Sequence, residues 1–225
     1  MTRTTNARIA GFTFLVYIAG GMTSVFLFRR AAAGEGVAAK LAGINQHAGD
    51  LGALVLLGLV QCFSALILGV TLYAITRDED QDLALLGLAC RVGEGIIAAF
   101  SIPAILTLFW LATATGAEAP AADAAYTLAG HLLREDAALP GTFFAVGSAL
   151  FAWLMLRGRM IPIPLAWLGV VASVLLVLGL PLILADLLNG PVTVFIWLPM
   201  LAFEVPLGFW LIIRGAAIPN RAQAA

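Results

Sequence analysis

Six runs of apolar residues, each long enough to cross a lipid bilayer, decide what this chain can fold into. They lie near Ile9–Phe28, Leu51–Thr76, Leu83–Leu111, Leu139–Leu156, Ile163–Leu188 and Val192–Ile213. A hydrocarbon core of about 30 Å takes roughly twenty helical residues. Inside lipid every backbone N–H and C=O must be satisfied by the protein, which a helix does within its own segment. A closed β-barrel would instead show short segments of alternating polarity. Charged residues make up 11% of the chain and hydrophobic ones 62%, against about 25% charged in a soluble domain. The reading is therefore all-α: a single integral membrane domain over residues 1–225, a polytopic bundle of six transmembrane helices whose first partner is the lipid bilayer. A net charge of −1 and the lack of a basic patch with interleaved aromatics argue against a nucleic-acid partner.

The first run follows Arg8 and is followed by Ala31, Ala32 and Ala33, so it resembles a signal peptide. Its apolar stretch is too long for a typical h-region, and Arg29 and Arg30 stand where a cleavage region is neutral, so it is expected to be a retained helix. Cys62 and Cys90 lie inside apolar runs without CxxC spacing and read as small buried hydrophobes. "TRDEDQD" (Thr76–Asp82), "RGRMIPIP" (Arg157–Pro164) and "NGP" (Asn189–Pro191) are turn signals. Two longer connections remain, Arg29–Asp50 and Ala112–Ala138, and "AYTLAGHLLRED" within the second suits a short helix at a membrane surface.

Two full charges interrupt the third run in "CRVGEGIIAAF", Cys90–Phe100. Helical positions three apart share a face, and the face continues as Gly87, Arg91, Glu94, Ala98, Ser101, a narrow polar and small stripe on a greasy helix. A charge facing lipid costs several kcal/mol, so the stripe is expected to face the bundle interior. Counting at about 1.5 Å per residue from the inner end, Arg91 lies roughly 12 Å deep, Glu94 roughly 16 Å, and Glu204 of the sixth helix roughly 14 Å. Gln61 of the second helix reaches the midplane as well, so four polar side chains from three helices share one level. Pro199 and Pro206 flank Glu204 and are expected to kink its helix. An arginine at this depth needs an acidic partner, and direct or water-mediated contact with Glu204 is expected, because Glu94 satisfies only part of its five-donor fork. One cation facing two acids balances one of them, so the other is expected to hold an exchangeable proton.

A second set of polar residues falls at the opposite end of the helices: His47, Asp50, His131, Glu135 and Asp186. Helical spacing sets His47 beside Asp50 and His131 beside Glu135, a geometry metals use. Two histidines on separate loops form a weak signal, so solvated or capping roles are favoured, no metal is assigned, and Asp50 suits the start of the second helix. No cofactor is implied. The one lysine, Lys40, lies in a loop, no histidine lies mid-helix for haem ligation, and GxSxG, HExxH and P-loop motifs are absent. Helix-borne Ser64, Ser101, Ser148 and Ser173 are expected to bond back to their own helices.

Several stretches together resemble a known family: "RIAG" (Arg8–Gly11), "RVGE" (Arg91–Glu94), "FF" (Phe143–Phe144), Arg159 with Pro162 and the "WLG" of Trp167–Gly169, and "FEVPLGFWLIIRG" (Phe203–Gly215). Their order and spacing resemble the bacterial membrane-protein family catalogued as domain of unknown function 4386. The resemblance covers nearly the whole chain and implies six helices, with no activity to carry over.

Three functions fit these residues. One is a small-molecule or proton-linked transporter with Arg91, Glu94, Glu204 and Gln61 lining a mid-membrane site. Another is a non-catalytic scaffold or sensor in which the same charges only fix helix packing. The weakest is an intramembrane enzyme acting on a lipid or prenyl substrate, since no nucleophile or metal motif accompanies the acids. Seven arginines (Arg3, Arg8, Arg77, Arg157, Arg159, Arg214 and Arg221) fall on one side, against Arg29, Arg30, Lys40 and Arg134 on the other. By the positive-inside rule both termini are expected in the cytoplasm, and the family resemblance implies a bacterial cytoplasmic membrane. In a variant lacking Cys62 and Cys90, a cysteine at position 220 is expected to resist an impermeant thiol reagent added to intact cells; labelling from outside would reverse the orientation.

Overall fold

The computed structural model describes residues 1–116, 119–133 and 138–218, which are helical with no strand among them. In chain order the helices are α1 (Arg3–Ala31), α2 (Gly36–Gln46), α3 (Leu51–Thr76), α4 (Gln81–Ala99), α5 (Ser101–Thr113), α6 (Ala122–Leu132), α7 (Ala138–Arg157), α8 (Ile163–Leu184), α9 (Val192–Phe195) and α10 (Leu198–Ile213). A 3₁₀ turn, Ala48–Asp50, leads into α3. Six stretches are long and apolar enough to cross a membrane: Arg3–Ala31, Ala48–Thr76, Gln81–Thr113, Ala138–Arg157, Ile163–Leu184 and Val192–Ile213. They match the six apolar runs of the sequence and are compatible with a multi-pass membrane protein. Their outer faces carry large exposed apolar side chains such as Phe12, Leu56, Phe63, Val171 and Leu178, a surface suited to lipid.

Two spans are interrupted where the sequence predicts one continuous helix. The third span breaks at Phe100, between α4 and α5. Pro103 has no N–H for the Ala99 carbonyl and its ring crowds that turn. The chain responds locally: the Phe100 N–H turns to Ile97 O at 3.1 Å, and Ser101 Oγ donates to Ala98 O at 2.6 Å. The sixth span divides into α9 and α10, and Pro199 lies in the first turn of α10 rather than inside a helix. That position suits proline, whose missing N–H has no helical partner there. Pro206 does lie within α10, so the Ala202 carbonyl lacks its usual donor. The fifth span ends at Leu184, four residues earlier than the sequence reading, and Asp186 follows with φ of 59°.

The spans close into a ring. α1 packs on α3, α3 on α4, α4 on α7, α7 on α8, α8 on α10, and α10 returns to α1. The main core fills the ring with Phe14, Leu68, Phe144, Phe151, Leu176, Phe203 and Leu207 among others. Small residues let the backbones meet, as membrane helices require. A Cβ on Gly11 would lie 2.5 Å from the Gly208 carbonyl oxygen, so α1 and α10 touch there through their main chains. Phe203 lies over Gly169 of α8 in the same way. At one end of the ring, α2, α5 and α6 form a satellite layer around Leu41, Leu108, Leu111, Ala125 and Ala129. The sequence reads the region of α2 as a plain connection and anticipates the helix at α6.

Ion pairs tie both ends of the ring. Arg157 Nε of α7 reaches Glu79 Oε1 at 3.1 Å and its Nη1 reaches Asp80 Oδ2 at 3.5 Å, while Arg3 Nη1 of α1 lies 3.6 Å from Asp78 Oδ2. The acidic α3–α4 turn is thereby clasped between α1 and α7. At the other end Arg30 Nη2 meets Asp50 Oδ2 at 2.6 Å. Because the Gly11 contact is backbone to backbone, Gly11→Ala is expected to destabilise the bundle by about 1–3 kcal/mol. Gly52→Ala in α3, where nothing lies within 4 Å of an added Cβ, is expected to be neutral or stabilising by up to about 1 kcal/mol. Unfolding of the two variants in detergent checks this, and equal losses would contradict it.

Candidate functional site

Charges enter the ring from α4 and α10, which face each other across it rather than as neighbours. Arg91 and Glu94 are 1% and 3% exposed and Glu204 is 4% exposed. The i, i+3 spacing lets Arg91 Nη1 donate to Glu94 Oε2 at 2.8 Å. Glu94 Oε1 accepts from Tyr17 Oη of α1 at 2.6 Å. Both carboxylate oxygens are thus held by strong, charge-assisted bonds. Gln61 of α3 extends the line by donating from Nε2 to the Tyr17 carbonyl at 2.7 Å. Gly20 leaves room for that amide, since a Cβ there would lie 3.0 Å from Gln61 Nε2.

The guanidinium rests in an aromatic setting. Arg91 Cζ lies 4.9 Å from the Phe144 ring centroid and 5.6 Å from that of Tyr17. Those rings stack at 6.2 Å with planes 4° apart, and Trp197 abuts Phe144 at 5.9 Å. Cation–π attraction is strongest for a desolvated cation, so the rings offset part of the cost of removing Arg91 from water. Glycines admit the long side chain: a Cβ on Gly69 of α3 would lie 3.0 Å from Arg91 Cβ, and one on Gly147 of α7 would lie 3.3 Å from its Cγ and Cδ.

Glu204 joins the cluster from the far side. The Gly11–Gly208 contact and the Phe203–Gly169 contact fix α10 on both its neighbours, one turn after and one residue before Glu204. Glu204 lies within electrostatic reach of Arg91, Glu94 and Tyr17. No ion pair of 4.0 Å or less joins it to Arg91. Of the direct or water-mediated contact expected from the sequence, the direct form is absent, and Arg91 takes its ion-pair partner from its own helix. An i, i+3 pair needs no second element to be placed, and two glycines and two rings hold Arg91 against that face. The consequence is a partly satisfied cluster. Arg91 Nε and Nη2 and Glu204 Oε1 are buried without a hydrogen-bond partner.

Among the described residues, the polar side chains expected at the other end make no hydrogen bond or ion pair with one another. His47 ends α2, with Nδ1 2.9 Å from the Gly43 carbonyl oxygen of its own helix. Asp50 makes no side-chain cap on α3 and pairs with Arg30 instead. His131 lies in the last turn of α6 beside a shallow groove shared with Val37 and Tyr126. Asp186 follows α8, and Glu135 lies outside the described residues. Among the described residues no three or more His, Cys, Asp or Glu side chains stand where they could hold a metal. Of the helix-borne serines, Ser173 bonds to Gly169 O at 2.7 Å and Ser101 to Ala98 O, as the sequence suggests.

Tyr17 and Phe144 are the residues that sequence reasoning leaves out of the site. A signal for Tyr17 exists, because its hydroxyl is the one phenol in the first apolar run and has to find a partner when buried. Phe144 stands in the "FF" of the family resemblance, but nothing in the sequence aims its ring at Arg91.

The family model described as domain of unknown function (DUF4386) matches residues 9–215. The chain belongs to this family. The matched span contains Tyr17, Gln61, Arg91, Glu94, Phe144 and Glu204. No curated protein and no solved structure matches the chain.

Proposed function

We propose that this DUF4386 protein is a proton-linked carrier of a small molecule, with Arg91, Glu94 and Glu204 as its mid-membrane site and Gln61 and Tyr17 as its support. The observation that carries the reading is the unsatisfied side of the cluster. Buried polar groups kept only for packing are hydrogen-bonded as a rule, and a half-satisfied buried network costs stability. Here the most buried cation of the bundle keeps two donor groups unpartnered, and the acid across the ring keeps an oxygen unpartnered.

Charge counting supplies the proton. Arg91 and Glu94 neutralise one another through their bond. Glu204 has no cation of its own, and an uncompensated carboxylate in an apolar interior is costly, so its neutral form is the one the interior tolerates. The two spans that carry these charges are also the two that are interrupted, at Phe100 and at 196–197. Broken helices beside buried charges are the usual construction of ion and substrate sites in secondary transporters. The break and the missing Pro206 N–H give α10 a place to bend that an unbroken helix lacks.

A packing role is the second reading, favoured by the line Gln61–Tyr17–Glu94–Arg91, which joins α1, α3 and α4 through three hydrogen bonds. Glu204 separates the two readings, since it takes no part in that line. Trp197 lies against Phe144 and reports on the site. Titrated across roughly pH 5–8, the tryptophan fluorescence of the wild-type protein is expected to change, and Glu204→Gln is expected to keep the fold and abolish the change. Superimposable titrations of the two proteins would rule out Glu204 as the proton site.

A further inference from the structure

The unsatisfied edge of Arg91 has a particular shape. In a planar guanidinium, Nε–H and the adjacent Nη2–H point the same way, side by side, and this edge binds the two oxygens of a carboxylate with two parallel bonds. Nη1 is the nitrogen spent on Glu94. Nε and Nη2 are the two left unpartnered on a side chain that is 1% exposed. The intramolecular pairing has thus consumed one nitrogen and kept the bidentate edge whole.

Resting on the carrier reading above, we propose that this edge binds the carboxylate of a small monocarboxylic acid, and that each anion enters with one proton taken by Glu204. Charge conservation ties the two together. At a pH high enough to ionise Glu204 in the free protein, Arg91, Glu94 and Glu204 sum to one negative charge. With the anion on Arg91 and Glu204 protonated, the sum is again one negative charge. Binding the anion without the proton would bury a second negative charge, at a cost of several kcal/mol. The groups facing Glu204 permit this exchange. α4 presents Arg91 and Glu94, α1 presents Tyr17, and α8 has no titratable residue. Arg91 is the single cation among the described residues of the cluster, which suits a monoanion and suits a phosphate dianion poorly. Phe144 and Tyr17 stack beside the guanidinium and Trp197 abuts Phe144, an apolar setting for that edge.

Calorimetry on the full-length protein in detergent, in buffers of different ionisation enthalpy, counts the protons bound with each ligand. The probes are propionate, chloride and inorganic phosphate at equal ionic strength. The wild type is expected to bind propionate in preference to the other two and to take up about one proton per anion at a pH where Glu204 is ionised in the free protein. Glu204→Gln is expected to bind it with no linked proton, and Arg91→Lys, which lacks the parallel donor pair, to bind it at least about tenfold more weakly. If Arg91→Lys does not fold, the wild-type and Glu204→Gln proton counts decide alone. Propionate bound with no proton uptake by the wild type overturns the proposal, and so does chloride or phosphate bound equally well. Absence of propionate binding also overturns it. If the pH response of the tryptophans then persists and still depends on Glu204, the proton site stands and only the anion assignment falls; if both are absent, the carrier reading falls with it.

Discussion

The buried ion pair between Arg91 and Glu94 is the interaction to which the rest of the bundle is fitted. Removing a guanidinium and a carboxylate from water costs several kcal/mol each, and their attraction repays this only with good geometry and further hydrogen bonds. The surrounding sequence supplies both. Tyr17 gives its hydroxyl to the second carboxylate oxygen, Phe144 and Tyr17 present ring faces to the cation, and Gly69 and Gly147 let α3 and α7 close around the stem. Each of these requires a particular rotation of its helix, so the pair sets the register of α1, α3, α4 and α7 together.

The same economy leaves Glu204 apart. Arg91 Nη1 is held by its own helix, and the acid that arrives from α10 makes no ion pair with the remaining nitrogens. The glycine contacts that fix α10 against α1 and α8 keep Glu204 inside the ring regardless. A carboxyl group that is retained there without a bond, on a helix with an internal proline, is suited to change its proton and its position.

The spans and the shared face of Arg91 and Glu94 were legible in the sequence because both follow from simple counting. A run of apolar residues reports its own length, and the 3.6-residue period reports that Arg91 and Glu94 share a face. What the sequence did not yield depends on direction and competition. Pro103 was visible, but whether a proline bends a helix or divides it depends on how the turn before it re-bonds, here with Ile97 O and Ala98 O accepting from Phe100 N–H and Ser101 Oγ–H. Pro199 was read as a kink and proves to open a helix, since the break one turn earlier could not be counted from hydropathy. Glu94 was legible as a partner for Arg91 from its i, i+3 spacing, but the separation of Glu204 from that pair across the ring was not. Tyr17 was hidden because one phenol in an apolar run does not say which way it points.

The central claim is that Glu94 is the carboxylate spent on Arg91 and Glu204 is the carboxyl that carries the proton. Infrared spectroscopy of the protein in lipid, comparing H₂O with D₂O, tests this most directly through the C=O stretch of a protonated carboxyl group. A deuterium-sensitive band of that kind is expected in the wild type and absent in Glu204→Gln. A band that survives Glu204→Gln unchanged would contradict the account.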